Sequence, residues 1–153
     1  MTSFLLDEVP GLRLRSPATD IDLPQVESTS PYLGAALREH GTGPIVTRRF
    51  ESTTPAERRV ITIAQLPTEA AAAEAVEQLV TTSARSSSSG STPTTQHPRT
   101  GVTVVGPIGL TTFHSAYLAA GHQGRYLVAV EEDVAAAATP DTETILRQLD
   151  RLP

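Results

Sequence analysis

The stretch IVTRRFESTTPAERRVITIAQL, residues 45–66, decides the fold class. Its two runs, Ile45 to Glu51 and Arg59 to Leu66, are rich in β-branched residues and are joined by Ser52 to Glu57, where Pro55 suits a turn. In the second run Val60, Thr62 and Ala64 alternate with Ile61, Ile63 and Gln65, which predicts a strand with one face much more apolar than the other. Two strands joined this closely form a β-hairpin and therefore pair antiparallel.

Working outward, Pro67-Thr68 opens a helix through about Thr82, with Glu69 at the positive end of its dipole. Ala72, Val76, Leu79 and Val80 give that helix an apolar stripe, while Glu74, Glu77 and Gln78 face water. Upstream, Ser30 can cap a second helix, with Pro31 at its first position and Leu33, Ala36, Leu37 and His40 recurring at helical spacing until Gly41. Residues 1–29 read as turn-rich, with Pro10, Gly11, Pro17 and Pro24 breaking any long element and one short strand from Leu12 to Arg15.

Residues 83–100 are rich in Ser, Thr, Pro and Gly and predict a long flexible loop inside one domain spanning residues 1–153. Val102, Val104 and Val105 form a buried strand ending at Gly106. The segment from Leu110 to Ala120 fits helical spacing through Leu110, Phe113 and Tyr117, and strand spacing through Phe113, Ser115, Tyr117 and Ala119. The turn Gly121-His122-Gln123-Gly124 before the strand Arg125 to Glu131 favours a hairpin. A last helix from about Pro140 to Arg151, capped by Thr139, turns Ile145, Leu146, Leu149 and Leu152 inward. The resulting order βαββαβββα predicts an α+β fold, an antiparallel sheet with helices packed on one face. Its first six elements match a ferredoxin-like βαββαβ order, followed by extra strands and the C-terminal helix.

Composition limits the function. The 153-residue chain carries a net charge of −5 and lacks the basic face of a nucleic-acid binder. It has no apolar run near the ~20 residues that cross a bilayer. Its opening MTSFLLDEVPG has no charged start followed by an apolar stretch, and so reads as lacking a signal peptide. Without cysteine, disulfides, thiolate metal sites and thiol catalysis are excluded. All twelve basic residues are Arg and Asn is absent, a usage that fits a genome rich in G and C.

Each candidate for chemistry has a plainer structural explanation. His114 and His122 could bind a metal with Glu131 or Glu132, but no tight ligand spacing occurs. Of the other histidines, His40 ends a helix and His97 sits in the low-complexity stretch. Val102 to Gly109 (VTVVGPIG) resembles a strand entering a phosphate loop, yet Pro107 removes a donor and no Lys follows. No G-x-S-x-G elbow or S-x-x-K motif supports a nucleophile. Glu131-Glu132-Asp133 could serve acid–base chemistry, although a solvated strand end is the simpler reading. Arg48-Arg49 and Arg58-Arg59 could hold an anion, or pair across strands with Glu51 and Glu57. The set retained as candidate ligand contacts is His114, Tyr117 and Arg125, which offers an aromatic face, a titratable ring and a fixed cation. No cofactor and no metal are expected.

Three short stretches, Leu5 to Leu12 (LLDEVPGL), Gly124 to Val130 (GRYLVAV) and Leu146 to Pro153 (LRQLDRLP), resemble small extracytoplasmic lipoproteins and kinase-associated sensor domains of high-GC Gram-positive bacteria. That resemblance implies a compact α+β domain of the cell envelope, freed of its export segment, with a small ligand or an envelope protein as partner. The chain departs from those domains in lacking their disulfide-forming and lipid-anchoring cysteines. The leading expectation is an extracytoplasmic, non-enzymatic binding or sensor module. Two alternatives remain: a small dimeric α+β barrel enzyme with an apolar pocket, and an interaction domain that adds a strand at an exposed hairpin edge.

Overall fold

A computed structural model describes residues 1–52, 57–86, 94–96, 101–110, 114–135 and 138–153. After a short 3-10 turn at Thr2–Phe4, the order is β1 (Arg13–Ile21), α1 (Leu23–Thr29), α2 (Pro31–His40), β2 (Ile45–Glu51), β3 (Arg58–Gln65) and α3 (Glu69–Arg85). Then come β4 (Thr94–Gln96), β5 (Thr103–Leu110), β6 (His114–Gln123), β7 (Tyr126–Ala135) and α4 (Thr142–Leu149). Among the described residues the strands form one seven-stranded sheet in the order β1-β2-β3-β7-β6-β5-β4, with every neighbouring pair antiparallel.

The α+β class and the antiparallel sheet are as expected, and β2–β3 is the hairpin read from residues 45–66. The split ferredoxin-like order is not realised. β1 and β2, joined through α1 and α2, lie side by side, with no strand inserted between them. The chain instead runs β1-β2-β3 outward to inward, crosses over α3 to the far edge, and returns through β5 and β6 to place β7 against β3.

Both faces of the sheet are apolar, which is why its central strands are nearly continuous hydrophobic runs. On one face Leu127 and Ala129 of β7, Leu118 and Ala120 of β6 and Ala64 of β3 pack against Leu33 and Leu37 of α2 and Ala72, Val76 and Leu79 of α3. On the other, Val128, Val130, Ile61, Ile63, Val46 and Phe50 are covered by Ile145 and Leu146 of α4 and by Leu5, Leu6 and Val9 of the N-terminal segment. At roughly 1.5–3 kcal/mol for each fully buried large aliphatic or aromatic side chain, these two layers are the main stabilising term.

Several local expectations change. Residues 1–29 hold more regular structure than their prolines suggest. Pro24 falls at the start of α1, where a missing N–H costs nothing, and Asp22 with Gln25 closes a capping box. Pro17 is inside β1, which tolerates it as an edge strand with register shifts on both sides of Ser16. The strand expected to stop at Gly106 runs on to Leu110, with a shift in register between Val105 and Gly109. The ambiguous segment after it is strand β6 from His114 onward, while residues 111–113, Phe113 included, lie outside the described residues. In the presumed loop 83–100, residues 83–85 complete α3 and Thr94–Gln96 pair with β5; residues 87–93 and 97–100, with His97, lie outside the described residues. Asp141, not Thr139, caps α4 by accepting the Glu143 N–H. No described helix is long and apolar enough to cross a membrane.

Candidate functional site

The register of β3 against β7 sets up the site. Arg58 stands opposite Asp133 and Arg59 opposite Glu132, so two cations meet two carboxylates across one pair of strands. Because successive side chains alternate, the two ion pairs go to opposite faces of the sheet. Arg58 Nη2 lies 2.6 Å from Asp133 Oδ2 on the side of α2 and α3. Arg59 lies on the α4 side, 3.3 Å from Glu132 through Nε and 3.0 Å from Asp141 through Nη1. The solvated-end reading of Glu131-Glu132-Asp133 is therefore corrected: all three are inside β7, and Glu132 is only 2% exposed. The cross-strand reading of the arginine pairs holds for Arg58 and Arg59, with Asp133 and Glu132 in place of Glu51 and Glu57, but not for Arg48 and Arg49, whose partners lie in the N-terminal segment and in the same strand. Arg48 pairs with Asp7, and Arg49 and Arg15 both pair with Glu51.

On the α2–α3 face these residues border a cavity of about 210 Å³. Its polar lining comes from Ser30 and Tyr32 at the α1–α2 junction, Arg58, Ser83 at the end of α3, and Glu131 and Asp133. Its apolar lining includes Leu33, Leu79, Ile108, Ala116 and Leu118. Ser30 does not cap α2 with its side chain, as its position suggested. Its hydroxyl turns inward and donates to Glu131 Oε1, joining the α1–α2 junction to β7 across 101 positions of sequence. Burial pushes the Glu131 carboxyl above its usual range, opposed by the Ser30 hydrogen bond and, more weakly, by the charge of Arg58.

Glu132, on the other face, is raised to about 7, again mainly by burial. The ion pair with Arg59 does not reverse that. Arg59 Nε and Glu132 Oε1 are close, but neither has a hydrogen-bond partner among the described residues, so the contact is charge proximity without alignment. The backbone N–H of Asp141 does donate to Glu132 Oε2, at 3.1 Å.

The residues singled out in the sequence do not converge. His114 opens β6, opposite Ala135, and Tyr117 follows opposite Glu132. Arg125 is at the far end, in the β6–β7 turn, eight positions beyond Tyr117, of which the six to Gln123 alone run roughly 20 Å along the strand at ~3.3 Å per residue. There its guanidinium lies 5.9 Å from the Tyr126 ring centroid. Tyr117 borders the cavity by its strand position, but its ring packs on the opposite face, against Gly106, with the hydroxyl 3.5 Å from the Ala138 carbonyl. His114 and His122 stand at opposite ends of β6. Sequence reasoning missed Ser30, Arg58 and Glu131 as a group. Only the β3–β7 register and the placement of the α1–α2 junction bring them together, and no local pattern encodes either.

No protein-family model matches the chain, and comparison with curated proteins also finds no match. Among solved structures, the chain is similar to the extracellular domain of PknH from Mycobacterium tuberculosis. The likeness has a TM-score of 0.65 at 12% sequence identity, and covers 97% of this chain and 92% of that one. What the two share is the fold.

Proposed function

We propose that this protein is an extracytoplasmic, non-enzymatic binding or sensor module that takes a small ligand in the cavity between the α1–α2 junction and the sheet. The observation that carries the reading is the fold likeness to a domain described as extracellular, which runs through nearly the whole of both chains. The short motifs that resemble envelope sensor domains point the same way. The cavity supports the ligand part of the reading, because it is mostly apolar with a few convergent polar groups. Of the three residues singled out in the sequence, Tyr117 borders this cavity by its strand position, while Arg125 lies at the far end of β6 and takes no part in it. Fractionation of the source cells tests the assignment: the full-length product is expected in the envelope or secreted fraction. A purely cytosolic product whose gene encodes no export segment overturns it.

A further inference from the structure

We infer that the cavity under the α1–α2 junction is a site for a small organic cation, an amine on an apolar body with a hydroxyl or carbonyl oxygen beside the nitrogen. The inference deepens the proposed function and rests on it for the location of the site. Charge is the first argument. Of the charged groups facing the cavity, Arg58 and Asp133 are held together at 2.6 Å and offset one another. Glu131 is left with a neutral donor, the Ser30 hydroxyl, and acts on Arg58 only through space. Among the described residues, the Glu131 carboxylate, in a cavity also lined by Leu33, Leu79 and Leu118, has no counter-ion of its own, and an ammonium group would supply one.

The second argument is an orphaned donor. Arg58 Nε is buried and has no hydrogen-bond partner among the described residues, although the far end of the same guanidinium is paired. A buried N–H without an acceptor is costly, and Arg58 lines the cavity, so a ligand oxygen that reaches Nε by displacing the lining around it would relieve that cost. Size is the third. About 210 Å³ lies below the ~300–1,000 Å³ of sites for drug-sized ligands, which suits a small amine.

Pairing also fixes a pH signature. Burial raises the Glu131 carboxyl, so below that raised value the acid is neutral and must release its proton to pair with a cation. A cation therefore binds more tightly as pH rises, by up to ~10-fold per pH unit until Glu131 ionises on its own. A neutral ligand that accepts the carboxyl proton does the reverse.

Isothermal titration of the full chain from pH 5 to pH 8 with leucinol, 4-methyl-1-pentanol and 4-methylpentanoate tests this. Leucinol is expected to bind best, to tighten with pH and to release protons, which is read by repeating the titration in buffers of different ionisation enthalpy. Glu131→Gln is expected to weaken leucinol by ~10-fold or more and to remove the pH dependence, with unchanged circular dichroism. Ala116→Phe, which fills the cavity from β6, is expected to abolish binding. If the alcohol or the carboxylate binds as tightly as leucinol and Ala116→Phe blocks it, the cation is overturned while the cavity stands as a ligand site. If none of the three binds, both the cation and the cavity assignment fail.

Discussion

The ring of Tyr117 lies against the backbone of Gly106, so close that a Cβ at position 106 would sit 2.2 Å from Tyr117 Cδ1. An aromatic side chain on β6 thus covers a position on β5 that has no side chain of its own, next to the shift in register. Gly106→Ala is expected to cost about 1–3 kcal/mol by overpacking. Tyr117→Ala removes the clash, so the double variant should be less destabilised than the sum of the singles, by about 1 kcal/mol or more. Urea unfolding of the four proteins measures the coupling, and strict additivity would refute the contact.

A second prediction follows from Glu132, which faces Arg59 from β3, Asp141 from α4 and Glu57 from before β3. Its carboxyl is raised from 4.5 in the unfolded chain to about 7 in the fold. Between those values the folded state holds the proton more tightly than the unfolded state. Its contribution to stability is therefore greatest at acid pH and declines as pH rises from about 4.5 to about 7. The decline is on the order of 3 kcal/mol at ~1.4 kcal/mol per pKa unit. Glu132→Gln should flatten the stability profile across this window, measured as urea midpoints at stepped pH. Parallel profiles for variant and parent would show that Glu132 is ionised throughout.

How much of this was legible in the sequence depended on distance along the chain. The β2–β3 hairpin, α2 from Pro31 to its stop at Gly41, and α3 from its Thr68 cap are local, and their signals lie within about a dozen residues. The pairing of β3 with β7 joins Arg58 to Asp133, seventy-five positions apart, and no periodicity records it. For that reason Glu131-Glu132-Asp133 looked like a solvated end, although the register supplies cations for two of them. Pro17 and Pro24 misled for a related cause: whether a proline breaks an element depends on its being at an edge or at a helix start, which only the assembled fold decides.

The edge strand β1 bears on the idea of partner recruitment by strand addition. It carries Pro17, which cannot donate to a ladder, and an exposed Leu14, 51% accessible. The proline and the neighbouring register shifts blunt the edge. Pro17→Thr is expected to restore a donor and to promote self-association through that edge, seen as a concentration-dependent rise in mass by analytical ultracentrifugation. A variant that stays as monomeric as its parent at high concentration would show that the proline is not what protects the edge.

Gln148 ties the two ends of the chain together, and its loss should be felt mainly at the N-terminus. The side chain is fully buried in α4. Its Oε1 accepts the Leu6 N–H at 3.0 Å, and its Nε2 donates to the Phe4 carbonyl at 2.8 Å. Leu5 and Leu6 are core residues that belong to no helix or strand, so this amide stands in for the ladder that a strand would supply. Gln148→Leu keeps the volume and the apolar contacts but leaves both backbone groups unpaired, at a cost of about 1–3 kcal/mol each. Amide exchange at Leu6 should accelerate well beyond the global change, because opening of residues 4–6 becomes a local event. Exchange at Val128, deep in the sheet, should follow only the overall loss of stability. Equal acceleration at both sites would mean that the N-terminal segment unfolds only together with the sheet.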